Sequence, residues 1–277
     1  MKIKVTFIIA LVFFTFLLFI IPSRFINSEY GSTVLTVSTF LFGIFGGFCV
    51  AVTTTDYNNV RALAARETSA WISLYQIMRI YGKKYADGIR PYISRYIIRS
   101  FDYDFINYAR ETRNDFKPVM EYIKKVPIIL SKSSIHQNMI DQMVELVAVR
   151  QELTALGKRS LSSLEWIVLC ILSCIVIITL FGLRGGNIFF DFVTVAISSA
   201  TVLVLLLIRD IDRYIWNEAS FSFDVFNNVL LNLAELPYYP AEFIASGVVR
   251  PKEQKYRVGI LKKPGQSWER KFKIVTN

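Results

Sequence analysis

The sequence is poor in the residues that carry most enzymatic and metal chemistry. It holds one histidine and three cysteines in 277 residues. These are too few for a disulfide framework, and they leave almost no ligands for a transition metal. The sequence contains no Gly-rich loop of the phosphate-binding kind and no catalytic constellation. We therefore predict that the protein is not an enzyme and that it uses no cofactor and no metal.

Charged residues are scarce as well. They make up 19% of the chain, whereas hydrophobic residues make up 53%. Typical soluble proteins have about 25% charged residues. The mean hydropathy is positive, at +0.40. This composition excludes an intrinsically disordered chain and argues against a purely soluble protein, so the sequence predicts an integral membrane protein whose first partner is the lipid bilayer.

Four stretches are apolar enough to cross a bilayer, and each comes close to the ~20 residues that a helical span needs. They lie at residues 5–21, 34–54, 166–183 and 188–208. The first is longer than the apolar region of a signal peptide and no cleavage site follows it, so we predict an uncleaved helix. Only a short turn separates the last two, which predicts an antiparallel helical hairpin.

The basic residues predict the orientation. Of the 32 Lys and Arg residues, all but Arg24 and Arg184 lie on one side of the predicted spans. Because cytoplasmic loops carry the excess of Lys and Arg, we predict a multi-pass protein of the cell (inner) membrane with both termini in the cytoplasm. This topology, together with attraction to anionic lipid headgroups, accounts for the net charge of +10, so nucleic acid is not a predicted partner.

The segments outside the membrane have helical patterns. Neither Gly nor Pro occurs between Phe48 and Tyr81, so the second membrane helix is predicted to continue unbroken to Tyr81 and to end at Gly82. Ser162 and Glu165 have the spacing of a capping box at the start of the third membrane helix. Further helices are predicted at 90–99 (with Pro91 as its first helical residue), 103–113, 118–125, 134–158 and 209–236, and a short strand at 272–275.

The predicted fold class is all-α: a four-transmembrane-helix protein whose helical cytoplasmic domain is formed by extensions of the membrane helices. The predicted segments are membrane helices 1 and 2 within 1–54, the cytoplasmic helical domain at 55–161, the membrane hairpin at 162–208, a cytoplasmic helical extension at 209–240, and a loosely ordered basic tail at 241–277.

The most suggestive site lies on the second membrane helix. Phe40, Ile44 and Phe48 recur every four residues and form one stripe of bulky apolar side chains. Ordinary contact with lipid or another helix is the simpler interpretation. In an oligomer with this helix at the axis, the stripe would instead form stacked apolar rings that gate by dewetting. Gly43 and Gly47 form a small-xxx-small pair that lets helices approach closely.

Two acidic residues follow the fourth span. Asp210 and Asp212 adjoin Arg209 and Arg213, and they are interpreted either as ion pairs at the membrane exit or as a charged ring near a pore mouth. The spans themselves hold almost no ionisable residues, which argues against a proton-coupled transporter.

Several short runs resemble the second-helix region of bestrophins and bacterial bestrophin-like proteins. They are Phe40–Ile44, Asp56–Asn59, Ala65–Glu67 and Trp71. The order of four spans, with a long insertion between the second and third, is also similar to that family. The resemblance extends over roughly residues 5–240.

Bestrophins are homopentameric anion channels with a hydrophobic neck on the second helix, so the resemblance implies a homo-oligomer that passes inorganic anions through a neck at Phe40, Ile44 and Phe48. Two departures matter. Asn58–Arg61 replaces the family's Arg-Trp-Trp or Arg-Tyr-Trp element, and the acidic run of the animal calcium clasp is absent, so calcium gating is not implied. The alternative is a membrane-anchored scaffold that acts through its cytoplasmic helices without transport.

Overall fold

A computed structural model describes residues 2–104, 107–156, 161–213, 218–261 and 271–276, with backbone alone for 2–4 and 218–222. The described chain divides into two compact units. The membrane unit comprises the described residues of 1–57 and 160–216, and the second unit those of 58–159 and 217–277. The helices are α1 (Lys2–Ile20), α2 (Ser28–Tyr81), α3 (Lys83–Ser100), α4 (Tyr108–Glu111), α5 (Arg113–Lys124), α6 (Ser133–Leu156), α7 (Ser163–Leu183), α8 (Ile188–Asp212), α9 (Glu218–Asn232) and α10 (Ala241–Ala245).

Among the residues that the structure describes, three helices are long and apolar enough to cross a membrane: α2, α7 and α8. The apolar part of α1, Val5–Ile20, is shorter, and at ~1.5 Å per residue it covers about 24 Å of a 30 Å hydrocarbon core. The predicted first span is therefore a helix, and its crossing of the bilayer stays a prediction.

Two apolar clusters hold the membrane unit together. In one, Ala10 and Phe14 of α1 pack with Phe181 and Val195. In the other, the buried residues are Cys49, Leu161, Leu169 and Ile208. Small polar residues of α8 are also buried, namely Thr194, Ser198, Ser199 and Thr201, which is typical of membrane helices that pack closely.

The start of α7 confirms the predicted capping box. The Ser162 Oγ accepts a hydrogen bond from the Glu165 backbone N–H at 3.3 Å, and Glu165 Oε2 accepts from the Ser162 N–H at 2.6 Å. Both contacts satisfy backbone N–H groups that the first helical turn leaves unpaired.

Helix α2 confirms the predicted unbroken helix as far as Tyr81. Its last turn is closed by the Gly82 N–H, which donates to the Met78 carbonyl at 2.9 Å. Gly82 then adopts an extended backbone, with φ 167°, and the chain re-enters a helix at the next residue.

The next helices begin earlier than predicted. Helix α3 starts at Lys83, so placing Pro91 at its first position was wrong. Pro91 lacks the N–H that would bond the Asp87 carbonyl, but both residues are exposed and water can take the place of that bond. Helix α5 starts at Arg113 and includes Pro118 in its second turn, while the predicted helix at 103–113 is reduced to the short α4.

The predicted continuation of the fourth membrane helix to Leu236 was also wrong. Helix α8 ends at Asp212, and the Arg213 N–H closes its last turn. A carboxylate is unfavourable at a helix C-terminus, and Asp212 instead accepts the Leu161 N–H at 2.8 Å. Helix α9 ends at Asn232, before the prolines, because Ala234 takes a left-handed conformation with φ 56°.

The C-terminal segment has more regular structure than the sequence predicts. Strand β1 (Tyr238–Pro240) pairs in parallel with β2 (Lys255–Gly259), which pairs antiparallel with β3 (Lys273–Thr276). The last of these confirms the predicted strand near 272–275. Arg257 anchors β2, since its Nη1 lies 2.9 Å from Glu235 Oε2 and its Nε donates to the Leu236 carbonyl at 2.9 Å.

Candidate functional site

The three candidate neck residues share one uncovered face of α2. Phe40, Ile44 and Phe48 are 65%, 58% and 54% exposed, although each is large and apolar. The structure thus brings them together as one stripe that the described part of their own chain leaves largely uncovered. Water is a poor environment for such a face, so lipid or a second protein chain must cover it.

The opposite face of α2 fixes this orientation. Cys49 is fully buried, and Phe42, Phe45 and Val50 pack around the cluster that it forms with Leu169. Ser38 and Thr53, on the same side, are 5% exposed. Since residues four and eight apart in a helix share a face, burial of this side turns the stripe outward.

The glycines beside the stripe have different surroundings. A Cβ added at Gly43 or Gly47 would meet no heavy atom of a neighbouring element within 4 Å among the described residues, whereas one at Gly46 would lie 4.0 Å from Leu169 Cδ2. Gly46 therefore faces α7 of its own chain. The close-packing role predicted for Gly43 and Gly47 requires a second chain, and it stays a prediction.

Asp210 and Asp212 make local contacts. Asp210 is 8% exposed, and its Oδ1 lies 2.9 Å from Arg209 Nη2. Asp212 Oδ1 accepts the Leu161 N–H and so connects the end of α8 to the chain just before α7. These contacts are those expected of ion pairs and caps at a membrane exit. The role at a pore mouth stays a prediction.

Arg184 has a structural role that the sequence pattern does not predict. It is 8% exposed, and its Nη2 donates to the carbonyl of Leu18 at 2.6 Å and to that of Ile21. It thereby satisfies carbonyl groups that the last turn of α1 leaves unpaired. A signal for this role was present, because Arg184 is one of only two basic residues predicted on its side of the membrane.

Replacing Arg184 with methionine is expected to lower the free energy of unfolding by about 1–3 kcal/mol, since the partly buried carbonyls of Leu18 and Ile21 lose their donor. Thermal unfolding of the detergent-solubilised protein measures the effect. Arg24→Met is the matched control, because Arg24 is exposed and its loss should change stability by less than about 0.5 kcal/mol. Equal unfolding temperatures for the two variants would contradict the capping role.

A buried ionic network lies at the centre of the second unit. Glu67 is fully buried and accepts hydrogen bonds from Tyr96 Oη at 2.5 Å, from Tyr108 Oη, and from Arg150 Nη1 at 3.3 Å. Arg150 Nη2 donates in turn to the Ala109 carbonyl at 2.5 Å. Each partner of the carboxylate comes from a different helix, so the network ties α2 to α3, α4 and α6.

The electrostatics of this network keep the tyrosines as donors. Burial raises the pKa of Tyr96 well above its ordinary value, and the charge of Glu67 adds to that effect. Burial and Glu67 raise the pKa of Tyr108 in the same direction. Both phenols therefore stay protonated across the physiological pH range.

Trp71 completes the core beside the network. Its side chain is fully buried, and its ring centroid lies 5.0 Å from that of Tyr96 and 5.7 Å from that of Phe116. The run Ala65–Glu67 and Trp71, which resembles a bestrophin motif, thus supplies two core residues of the second unit, Glu67 and Trp71, and the exposed Arg66.

The family follows from a sequence match over most of the chain. The model of the bestrophin-like domain matches residues 5–213. The chain belongs to the bestrophin-like family. The protein is therefore a membrane protein of the bestrophin type, and membership in this family points to a non-enzyme. No curated protein matches the sequence.

Solved structures show the same fold. A variant of a bacterial bestrophin homologue from Klebsiella pneumoniae superposes with a TM-score of 0.62 at 14% identity, covering 83% of this chain and 100% of its own. Two variants described as a membrane protein superpose with a TM-score of 0.63, at 15% and 14% identity, covering 82% and 83% of this chain and 98% and 99% of their own. These likenesses confirm the predicted all-α membrane fold.

Proposed function

We propose that this bestrophin-like protein is a homo-oligomeric anion channel in which α2 lines the axis and Phe40, Ile44 and Phe48 form a hydrophobic neck. The observation that carries the proposal is the exposure of these three large side chains on one face of α2. Stacked apolar rings around an axis would exclude water and ions until the neck widens. A pentamer is the assembly that the family resemblance implies.

Two features of α2 support an axial position. Gly43 and Gly47 have open space beside the stripe, which would let neighbouring copies of α2 come close together. Roughly five turns beyond Ile44 the same face reaches Ala62, and the exposed residues there are small or polar. They include Thr55, Asn59, Arg66 and Ser69. A face that changes from apolar to polar along one helix suits a constriction followed by a wider, wet passage.

In this proposal the protein lies in the cell (inner) membrane, and both of its termini are in the cytoplasm. This orientation is supported by the distribution of Lys and Arg, of which only Arg24 and Arg184 lie on the other side of the predicted spans. The second unit would then form the cytoplasmic part of the channel, and inorganic anions such as chloride would be the permeant ions.

The alternative is a membrane-anchored scaffold without transport, and one observation favours it. The second unit exposes three consecutive apolar residues, with Ile128 70%, Ile129 37% and Leu130 92% exposed. Such a segment is suited to contact with another protein. A scaffold needs no axial α2, so the state of assembly and the conductance separate the two functions.

Replacing Phe40, Ile44 and Phe48 together with alanine is expected to raise the chloride conductance of the purified protein severalfold in planar bilayers, because smaller side chains widen and wet the neck. The exposed positions predict little loss of stability, about 0.5 kcal/mol or less at each. If the two phenylalanines were instead buried core residues, replacing each with alanine would lower the free energy of unfolding by about 3–5 kcal/mol.

A triple variant of α7 provides the matched control. Ile167, Ile171 and Ile178 are 53%, 53% and 56% exposed, and their replacement with alanine should leave the conductance at the wild-type level. Single-particle images of the wild-type protein should show a ring-shaped oligomer. A monomer, or a neck variant that conducts no more than wild type, would refute the channel.

A further inference from the structure

A cleft in the second unit has the lining of a binding site that is separate from the membrane helices. It lies between α4 and α5 on one side and α6 on the other, and its volume is about 520 Å³. Pockets for small organic ligands typically measure about 300–1,000 Å³. Three guanidinium groups line it, those of Arg110, Arg113 and Arg150, and no carboxylate is among its described lining residues.

The three arginines differ in how far their charges are compensated. Arg150 is turned toward Glu67 at 3.3 Å and the Ala109 carbonyl, so it adds little donor capacity to the cleft. Arg110 Nη2 lies 2.9 Å from Oε1 of the half-buried Glu111. Arg113 is exposed and has no hydrogen bond or ion pair with any described residue. The cleft therefore presents one free guanidinium fork.

The remaining walls are mostly apolar. Phe116 and Val147 line the cleft with two alanines, and the side chains of Gln151 and Thr154 add hydrogen-bonding groups. Val147 is 37% exposed. A hydrated inorganic ion gains nothing from such walls, whereas an organic molecule with an apolar body can replace the water on them.

We propose that this cleft binds an organic monoanion, a carboxylate carried on an apolar body. The fork of Arg113 matches the two oxygens of one carboxylate, and the walls at Phe116 and Val147 cover the apolar part. One uncompensated cation balances one negative charge, so a doubly charged phosphate is a poorer match. The site is independent of the neck on α2.

The test measures binding of radiolabelled 3-phenylpropionate to the full-length protein in lipid nanodiscs, with empty nanodiscs as the blank. Wild-type protein should bind it saturably. Arg113→Ala should weaken the affinity by about 10–100-fold, the effect expected of a lost charge-assisted hydrogen bond. Val147→Glu should abolish binding, because it places a negative charge on the apolar wall, and this charge repels the carboxylate of the ligand.

The controls separate the charge from the apolar body. Arg250→Ala removes an exposed arginine outside the cleft and should bind like wild type. The neutral 3-phenylpropionamide and the small anion acetate should each compete at least about tenfold less well than unlabelled 3-phenylpropionate. Wild-type affinity in Arg113→Ala, equal competition by the amide, or no saturable binding to wild type would each overturn the site.

Discussion

Replacing Glu67 with alanine is expected to lower the free energy of unfolding by about 3–5 kcal/mol, because it leaves the buried Arg150 guanidinium without its counter-charge. The carboxylate also accepts hydrogen bonds from Tyr96 and Tyr108. Burial raises the pKa of both phenols well above the ordinary value, so in the intact protein they donate to the carboxylate as neutral groups. Chemical denaturation of the detergent-solubilised protein, followed by tryptophan fluorescence, measures the loss.

The neighbouring residue on α2 offers a matched control. Arg66 is half exposed and forms an ion pair with Glu145 on the protein surface. Surface pairs of this kind contribute about 0–1 kcal/mol, so Arg66→Ala should unfold close to wild type. If Glu67→Ala were as stable as Arg66→Ala, the buried network would not hold the second unit together.

A double replacement tests whether the two buried charges act as a pair. Glu67→Met alone strands the Arg150 cation, and Arg150→Met alone strands the Glu67 carboxylate. Because an apolar pair of similar volume often costs little, the double variant should be more stable than the sum of the single effects predicts. The coupling in this cycle should exceed about 1 kcal/mol, whereas additive losses would mean that the residues act separately.

The sequence suffices to predict the parts of the fold that depend on local pattern. Helix α2 follows from the lack of Gly and Pro between Phe48 and Tyr81, and the start of α7 follows from the spacing of Ser162 and Glu165. The prediction for the end of the fourth membrane helix was wrong for a physical reason. No proline or glycine marks Asp212, and its side-chain bond to the Leu161 backbone joins residues far apart in the sequence.

The ionic network could not be predicted, since its members lie on four helices. Glu67 is 29 residues from Tyr96 and 83 from Arg150, and a single charged residue in a helical pattern is more often exposed than buried. The same holds for Arg184, whose acceptor Leu18 lies 166 residues away. Only a folded chain brings these charges together with partners so distant in the sequence.

The candidate site was predictable as a stripe but not as a pore. Periodicity places Phe40, Ile44 and Phe48 on one face, and the packing of Cys49 against α7 and α8 establishes that this face points away from its own chain. What covers the face depends on other molecules, lipid or further copies. Neither the pattern of one sequence nor the packing of one chain contains that information.

Proline at position 64 is expected to destabilise the protein by about 3 kcal/mol or more. Ala64 lies deep within α2, and both it and Val60 are buried, at 0% and 1% exposure. Proline would remove the N–H that bonds the Val60 carbonyl, and its ring would press against that carbonyl. Water cannot reach the unpaired oxygen at a buried site, so the loss is not offset by hydration.

Proline placed at the start of a helix provides the control. Ser163 is the exposed first residue of α7, and the preceding Ser162 has an extended backbone with ψ 154°. Proline suits this position because its N–H has no partner in the helix. Ser163→Pro should therefore unfold near the wild-type midpoint while Ala64→Pro unfolds far below it. A wild-type midpoint for Ala64→Pro would mean that α2 is interrupted there, and that the face carrying the proposed neck does not continue along one helix.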